Sequence, residues 1–212
     1  MLCELKTKKT KTMQTLEAIY QRRAVKSYDA NFKIPEAEEK KLFEAAQQSP
    51  SSFNIQHWRF LNVKNPELRA QIRAAAWDQA QVTEASMLLV LCADLKAAEK
   101  QPERYWEHAP QPVRDYLVPM ITPFYQGKDQ LSRDEAMRSV GLIAQTIMLA
   151  AKDMGYDSCP MIGFDADAVA KLINLPQDYA IGMIITIGKG IKPAHPKGGL
   201  LPLSEVVKVD RF

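Results

Sequence analysis

Between residues 132 and 154 the chain carries an apolar pattern that leaves little freedom in what surrounds it. Met137, Val140, Ile143, Ala144, Ile147, Met148, Ala151 and Met154 recur at steps of three and four, the spacing of one α-helical face. Leu142, Leu149 and Ala150 add apolar surface on other sides of the same helix. A helix that is apolar on most faces cannot lie with one side in water, so it belongs deep in a core or across a subunit contact. Ser132-Arg133-Asp134-Glu135 reads as a capping box that starts it, and Gly155 as its stop.

The remaining chain supplies shorter elements of both kinds. Leu16, Ile19 and Tyr20 predict a helix over 14–23 that ends at Arg22-Arg23. Pro35 opens a second helix with Glu36, Glu38 and Glu39 in its first turns, where the macrodipole favours acids, and this helix fails at Ser49-Pro50. Residues 58–63 alternate as a strand, 66–76 look helical, and 87–93 are an uninterrupted apolar run suited to a strand buried on both faces. Five prolines and five Tyr, Trp or Phe residues in 102–127 predict broken helix and loop, a substrate-facing excursion. Asp165 caps a short helix, and 179–187 form a last strand. Helices and strands intermix with few short crossovers, which predicts an α+β fold: one domain over 13–212, behind a disordered lysine-rich arm at 1–12.

Charge and cysteine content narrow the partners. Twenty-eight Lys and Arg against 25 Asp and Glu give a net charge of +3, interleaved rather than clustered, which speaks against a nucleic-acid protein. The apolar runs at 87–93 and 183–187 fall far short of the ~20 residues that span a bilayer. Three cysteines and three histidines lie scattered without metal-ligand spacing, which predicts free thiols, a reducing cytoplasm and no metal centre.

Three segments hold the chemistry. Arg22-Arg23-Ala24-Val25-Lys26 places three cations at a helix end, where the macrodipole alone would favour them; the same set also suits a phosphate, with Arg forking onto two oxygens and Lys adding a point charge. Residues 49–58 (Ser49, Pro50, Ser51, Ser52, Phe53, Asn54, Ile55, Gln56, His57, Trp58) crowd hydroxyl and amide donors between aromatics. They suit either a self-capped turn or the polar edge of a planar ring. Residues 159–165, from Cys159 through Pro160, Met161, Ile162, Gly163 and Phe164 to Asp165, lead into a short helix where backbone N–H groups are free and Gly163 permits close approach; a plain connection is the alternative.

In order, R-R-x-V-K-x-Y, P-S-S-x-N-x-Q-x-W, Q-V-x-E-A-S and P-M-x-G-F-D resemble the nitroreductase family over about 14–207. The resemblance implies a domain-swapped α+β homodimer with a central mixed or antiparallel sheet flanked by helices. It also implies that the long helix is buried between subunits and that two FMN groups sit at their interface. Arg22, with Arg23 and Ala24 beside it, matches the FMN phosphate position, and Lys26 the pyrimidine edge. Pro50, Ser51, Ser52, Asn54 and Gln56 match the loop that reaches the flavin from the other subunit. Gln81, and more weakly Asp78, match a contact to the pyrimidine carbonyls. Pro160, Met161, Ile162 and Gly163 match the turn against flavin N5. Three positions depart from the pattern: Ala24 stands where serine is common, His57 replaces a proline, and Ile162 occupies a position that is acidic in some members. The arginine common ahead of the Leu201-Pro202-Leu203 segment is missing, so Lys197 is the remaining candidate cation.

The activity implied is ping-pong hydride transfer from NADH or NADPH through flavin N5 to an electron-poor acceptor such as a nitroaromatic or quinone. A flavin carries this chemistry itself, so no Ser, Cys or His nucleophile is needed, and Cys159 reads as a small buried thiol. Lys26 would tune the flavin: at ~4 Å and an effective dielectric of ~20, a unit charge pair is worth about 4 kcal/mol before desolvation. Two other readings stay open: an FMN storage or sensing protein with little turnover, and a member specialised for one physiological acceptor selected by the 102–125 insert.

Overall fold

The computed structural model describes residues 15–212; the arm expected at 1–12 lies outside the described residues. Four strands, β1 (Trp58–Asn62), β2 (Met87–Asp94), β3 (Asp157–Met161) and β4 (Tyr179–Gly188), form one sheet in the order β1-β2-β4-β3, every neighbouring pair antiparallel. The helices in chain order are α1 (Thr15–Gln21), α2 (Glu36–Ala46), α3 (Pro66–Ala75), α4 (Gln81–Glu84), α5 (Gln111–Tyr125), α6 (Asp129–Asp153), α7 (Ala166–Leu172) and α8 (Leu203–Val206).

Every residue of β2 is buried, as its Met-Leu-Leu-Val-Leu-Cys-Ala run demands. Met87, Leu89, Leu91 and Ala93 face Val140, Ile143, Ala144 and Ile147 of α6, and Leu88, Val90 and Cys92 face Ile72, Ala76 and Val169 on the α3–α7 side. At roughly 1.5–3 kcal/mol for each buried Leu, Ile, Val or Met, this central strand and its two covers supply much of the driving force for folding.

α6 begins at Asp129, three residues before the expected capping box. The Ser132 N–H already donates to the Lys128 carbonyl at 2.9 Å, so Ser132 is inside the helix, and Glu135 pairs with Arg138 at 2.9 Å instead of capping. The end is as expected. Gly155 takes φ +84°, Tyr156 N donates to Ala151 O at 2.8 Å and Gly155 N to Lys152 O at 3.0 Å, the paired bonds of a Schellman stop. Burial covers only one side of α6: Leu142 stays 45% exposed and Leu149 half-buried, because nothing else among the described residues covers that face.

The proline-rich stretch is less broken than the expected mixture of helix and loop. After 3-10 turns at Ala97–Glu99 and Pro102–Trp106, α5 runs for 15 residues with Pro119 and Pro123 inside it. Pro112 costs no bond in the first turn, while each interior proline removes a donor, a loss of about 3 kcal/mol. Tertiary contact holds the helix nonetheless: Ile121 and Tyr125 are buried with Ile55, Ala97 and Tyr105, and Thr122 Oγ1 donates to Ala98 O at 2.7 Å. Among the described residues no helix is long and apolar enough to cross a membrane.

One buried cation ties β1, α3 and the start of β2 together. The Arg69 guanidinium donates to the carbonyls of Val63 at 2.8 Å, Ala85 at 2.7 Å and Ser86 at 3.0 Å. Arg69→Met would leave three carbonyls without that donor set and is expected to lower stability by about 3 kcal/mol, roughly 6–12 °C in Tm for a chain of this size. Arg69→Lys should recover little, since an ammonium lacks the planar fork. Thermal unfolding of the two variants beside the wild type checks both statements.

Candidate functional site

The cationic segment leaves α1 and runs along the outer edge of the sheet. Ala24 bridges Ser158 in parallel, Val25 N donates to Ser158 O at 3.1 Å, and Tyr28 bridges Gly190 in antiparallel sense. The Tyr28 ring is buried and its hydroxyl lies 3.2 Å from Thr186 Oγ1, which fixes the register of the arm. Arg23 folds back onto the carbonyls of Tyr20 and Arg22. Among the described residues neither Arg22 nor Lys26 has a side-chain hydrogen bond or ion-pair partner. Both stand close to Cys159, whose thiol is pushed up by burial and drawn back by these two cations. A protonated, buried thiol is no nucleophile, in keeping with the plain reading of Cys159.

The third segment meets the first here. Cys159, Pro160 and Met161 belong to β3 itself rather than to a connection after it. Pro160 is tolerated because β3 is an edge strand, where a missing N–H breaks no ladder. Beyond β3, the backbone N–H groups of Ile162 and Gly163 donate to no described acceptor, and the Ile162 side chain is 82% exposed. Gln79 Nε2 donates to Gly163 O at 2.8 Å, and buried Gln81 reaches Gln79 Oε1 at 3.0 Å and Met161 Sδ at 3.6 Å. Asp78 is turned away into a 2.7 Å pair with Arg73. The returning chain also comes alongside: Ile191 N donates to Ser27 O at 3.1 Å and Ala194 packs on Val25, Tyr28 and Ala85. Lys197, three residues on, is exposed and makes no described contact with Arg22.

The serine-rich strap is elsewhere. It runs into β1, the opposite edge of the sheet, three inter-strand spacings or about 14 Å from β3. Pro50 opens it; Phe53, Asn54 and Gln56 all have positive φ (50°, 55° and 52°), a conformation costing about 1–2 kcal/mol for each side-chain-bearing residue. Ser51 Oγ accepts from Gln56 N at 3.0 Å, Ser52 Oγ accepts from the Tyr125 hydroxyl at 2.8 Å, and Asn54 Nδ2 donates to Tyr105 O at 2.8 Å. Within one chain the structure therefore gathers Arg22, Ala24, Lys26, Gln81, Met161, Ile162 and Gly163 at one edge and leaves Ser51, Ser52, Asn54 and Gln56 at the other. Among the described residues no group of three His, Cys, Asp or Glu side chains is placed to hold a metal ion.

With this arrangement in hand, comparison with known proteins is decisive: the sequence model of the Nitroreductase family matches residues 19–189. The chain belongs to the nitroreductase family. It is 52% identical to protein DrgA of Synechocystis over 92% of this chain and 95% of that one. It is 36% identical to YodC of Bacillus subtilis, named as a candidate NAD(P)H nitroreductase, over 91% and 96%. Among solved structures, a candidate nitroreductase from Exiguobacterium sibiricum in complex with FMN superposes with a TM-score of 0.87 at 31% identity, covering 93% of this chain and 98% of that one.

Several residues around these candidate segments carry no sequence signal. Trp77 is 71% exposed at φ +54°, and its ring lies where a side chain on Gly163 would go: a Cβ there would sit 2.8 Å from Trp77 Cζ3. Gln79, Tyr105 and Tyr125 reach their partners across tens of residues, a distance no local motif reports. At the foot of the strap, Asp94 is buried, accepts from Lys100 Nζ at 2.8 Å and lies 3.6 Å from Arg59.

His57 closes the strap. It is buried, with Nδ1 3.2 Å from Ser139 Oγ on α6. Its pKa is pushed down to about 4, chiefly by burial, with Glu135 and Asp94 opposing and Arg59 adding to the fall. Between pH 6.5 and 4 the unfolded chain therefore binds a proton that the folded chain refuses. The stabilisation from a neutral His57 is complete above pH 6.5 and lost as pH falls towards 4, about 3 kcal/mol in all. Urea unfolding of wild type and His57→Gln at pH 7 and pH 4 should show the wild type losing about that much more than the variant.

Proposed function

We propose that this nitroreductase-family chain is an FMN-dependent oxidoreductase that passes hydride from NADH or NADPH to electron-poor acceptors such as nitroaromatics or quinones. The observation that carries the reading is a pair of uncommitted cations, Arg22 and Lys26, on the same sheet edge as the open N–H groups of Ile162 and Gly163. A flavin mononucleotide is made of the complementary parts: a dianionic phosphate, a ring edge rich in acceptors, and a redox-active nitrogen that accepts hydrogen bonds. When bound, FMN supplies the two-electron relay between nicotinamide and acceptor.

The chain's own residues then have separate tasks. Arg22 holds the phosphate with its planar fork, with Arg23 and the Ala24 backbone beside it and Lys197 as a second cation. Lys26 sets a positive charge at the pyrimidine edge, where negative charge grows on reduction, and so raises the potential of the bound group. Gln81 would contact the pyrimidine carbonyls by exchanging its amide bonds to Gln79 and Met161. Pro160, Met161, Ile162 and Gly163 form the turn against the ring, which Gly163 lets approach closely.

The strap cannot reach this edge within one chain, so a second copy provides Pro50, Ser51, Ser52, Asn54 and Gln56. The uncovered outer face of α6 supports a homodimer, as do the exposed Leu200, Leu201, Leu203, Val206, Val207, Val209 and Phe212 of the tail, apolar surface that a monomer would rarely leave in water. The small-molecule acceptor is the other partner.

Purified protein is expected to be yellow, to be bleached by NADH or NADPH without oxygen, and to regain its colour when a quinone or nitroaromatic is added. A colourless protein that takes up no FMN overturns the reading. FMN uptake without steady-state NAD(P)H oxidation favours storage or sensing instead. Lys26→Ala should lower the flavin potential by tens of millivolts, 30 mV being about 1.4 kcal/mol for two electrons. Equilibration with reference dyes measures it.

A further inference from the structure

The strap is not self-supporting. Its left-handed residues Phe53 and Asn54 are held from outside, by the segment 97–125, while Gln56 is tied to Ser51 and Arg59. Tyr105 O accepts from Asn54 Nδ2 at 2.8 Å, Trp106 Nε1 donates to Phe53 O at 3.0 Å, and the Phe53 ring meets Phe124 and Tyr125 with centroids 5.4 and 6.4 Å apart. Two of these bonds end on backbone or amide groups and explain shape alone. The bond from the Tyr125 hydroxyl to Ser52 Oγ at 2.8 Å does more, because it ends on a side chain with a direction to choose.

A serine hydroxyl has one hydrogen to give and two lone pairs to accept with. When Ser52 Oγ accepts the phenol hydrogen, its own hydrogen is left over, and no described residue takes it. Ser51 is arranged alike, its Oγ accepting from Gln56 N at 3.0 Å. Both hydroxyls thus accept within the protein, Ser51 from the strap itself and Ser52 from α5, and each keeps a hydrogen to give; a ligand rich in acceptor oxygens is the chemistry such a pair fits. Without the phenol, the Ser52 hydroxyl is free to turn its hydrogen onto neighbouring backbone carbonyls, as serines in turns do.

We propose that Tyr125 is a positioning residue: by donating to Ser52 Oγ it sets that hydroxyl as an outward donor, so the strap's hold on an oxygen-rich ligand is governed from α5. The proposal rests on the FMN reading, with FMN as that ligand. It also means that the proline-rich helix, which the sequence marks as an acceptor-facing excursion, is mechanically joined to the cofactor grip.

The test is a double-mutant cycle on FMN affinity, using full-length protein stripped of flavin and titrated with FMN. Tyr125→Phe keeps the ring against Phe53, Phe124 and His57 and removes only the donor. It is expected to weaken FMN binding roughly three- to tenfold, the worth of one hydrogen bond. Ser52→Ala should cause a loss of similar size, and Tyr125→Phe should then cost nothing further in the Ser52→Ala background. A role of the Tyr125 hydroxyl that does not run through Ser52 would give additive losses, since its removal would cost the same whichever residue stands at 52. Unchanged affinity in Tyr125→Phe, or an undiminished loss in the Ser52→Ala background, overturns the proposal while leaving FMN binding intact. A wild type that takes up no FMN overturns the cofactor reading and the proposal with it.

Discussion

A strand buried on both faces needs cover on both, and that demand organises this molecule. β2 contributes alternate residues to two separate clusters, one under α6 and one under α3 and α7. Once those layers are in place the sheet has two free edges with different fates. β3 receives the cationic arm through the Ala24–Ser158 bridge, and β1 receives the strap that ends at His57. The distribution of chemistry between the two edges follows from the burial of the middle.

The two edges are stiffened by different means. At β3 the arm is held by backbone pairing and by the buried Tyr28 ring, so its cations project from a rigid ladder. At β1 the strap relies on groups from α5 and the turn before it, with the unfavourable φ values of Phe53 and Asn54 compensated by Tyr105, Trp106 and Tyr125. One half of the site is therefore as firm as the sheet, and the other is as firm as a helix that contains two interior prolines.

Much of this was visible in the chain of residues, and the misses have physical causes. Apolar runs and periods place three of the four strands and the long helix, because burial dominates their energetics; β3 escapes them, since Cys159, Pro160 and Met161 read as a connection. The start of α6 was misplaced because Ser132 and Glu135 fit a cap pattern that the helix overrides by continuing back to Asp129. The prolines of 102–127 point to broken helix and loop, whereas packing of Ile121 and Tyr125 sustains one continuous helix from Gln111 to Tyr125 through two of them. At the site, local motifs flagged Arg22, Lys26 and the strap. Gln79, Trp77 and Tyr125 depend on contacts between segments far apart in sequence, and no spacing rule reports those.

The contact between Trp77 and Gly163 constrains how this protein can diverge. Because the indole fills the space a side chain at 163 would need, the two positions are epistatic: an enlargement at 163 is tolerated only after 77 has shrunk or swung away. Lineages exploring a new acceptor through that turn must therefore displace the indole, either by a smaller residue at 77 or by rotating a ring that is already largely in solvent, so what is gained at 163 is taken from 77.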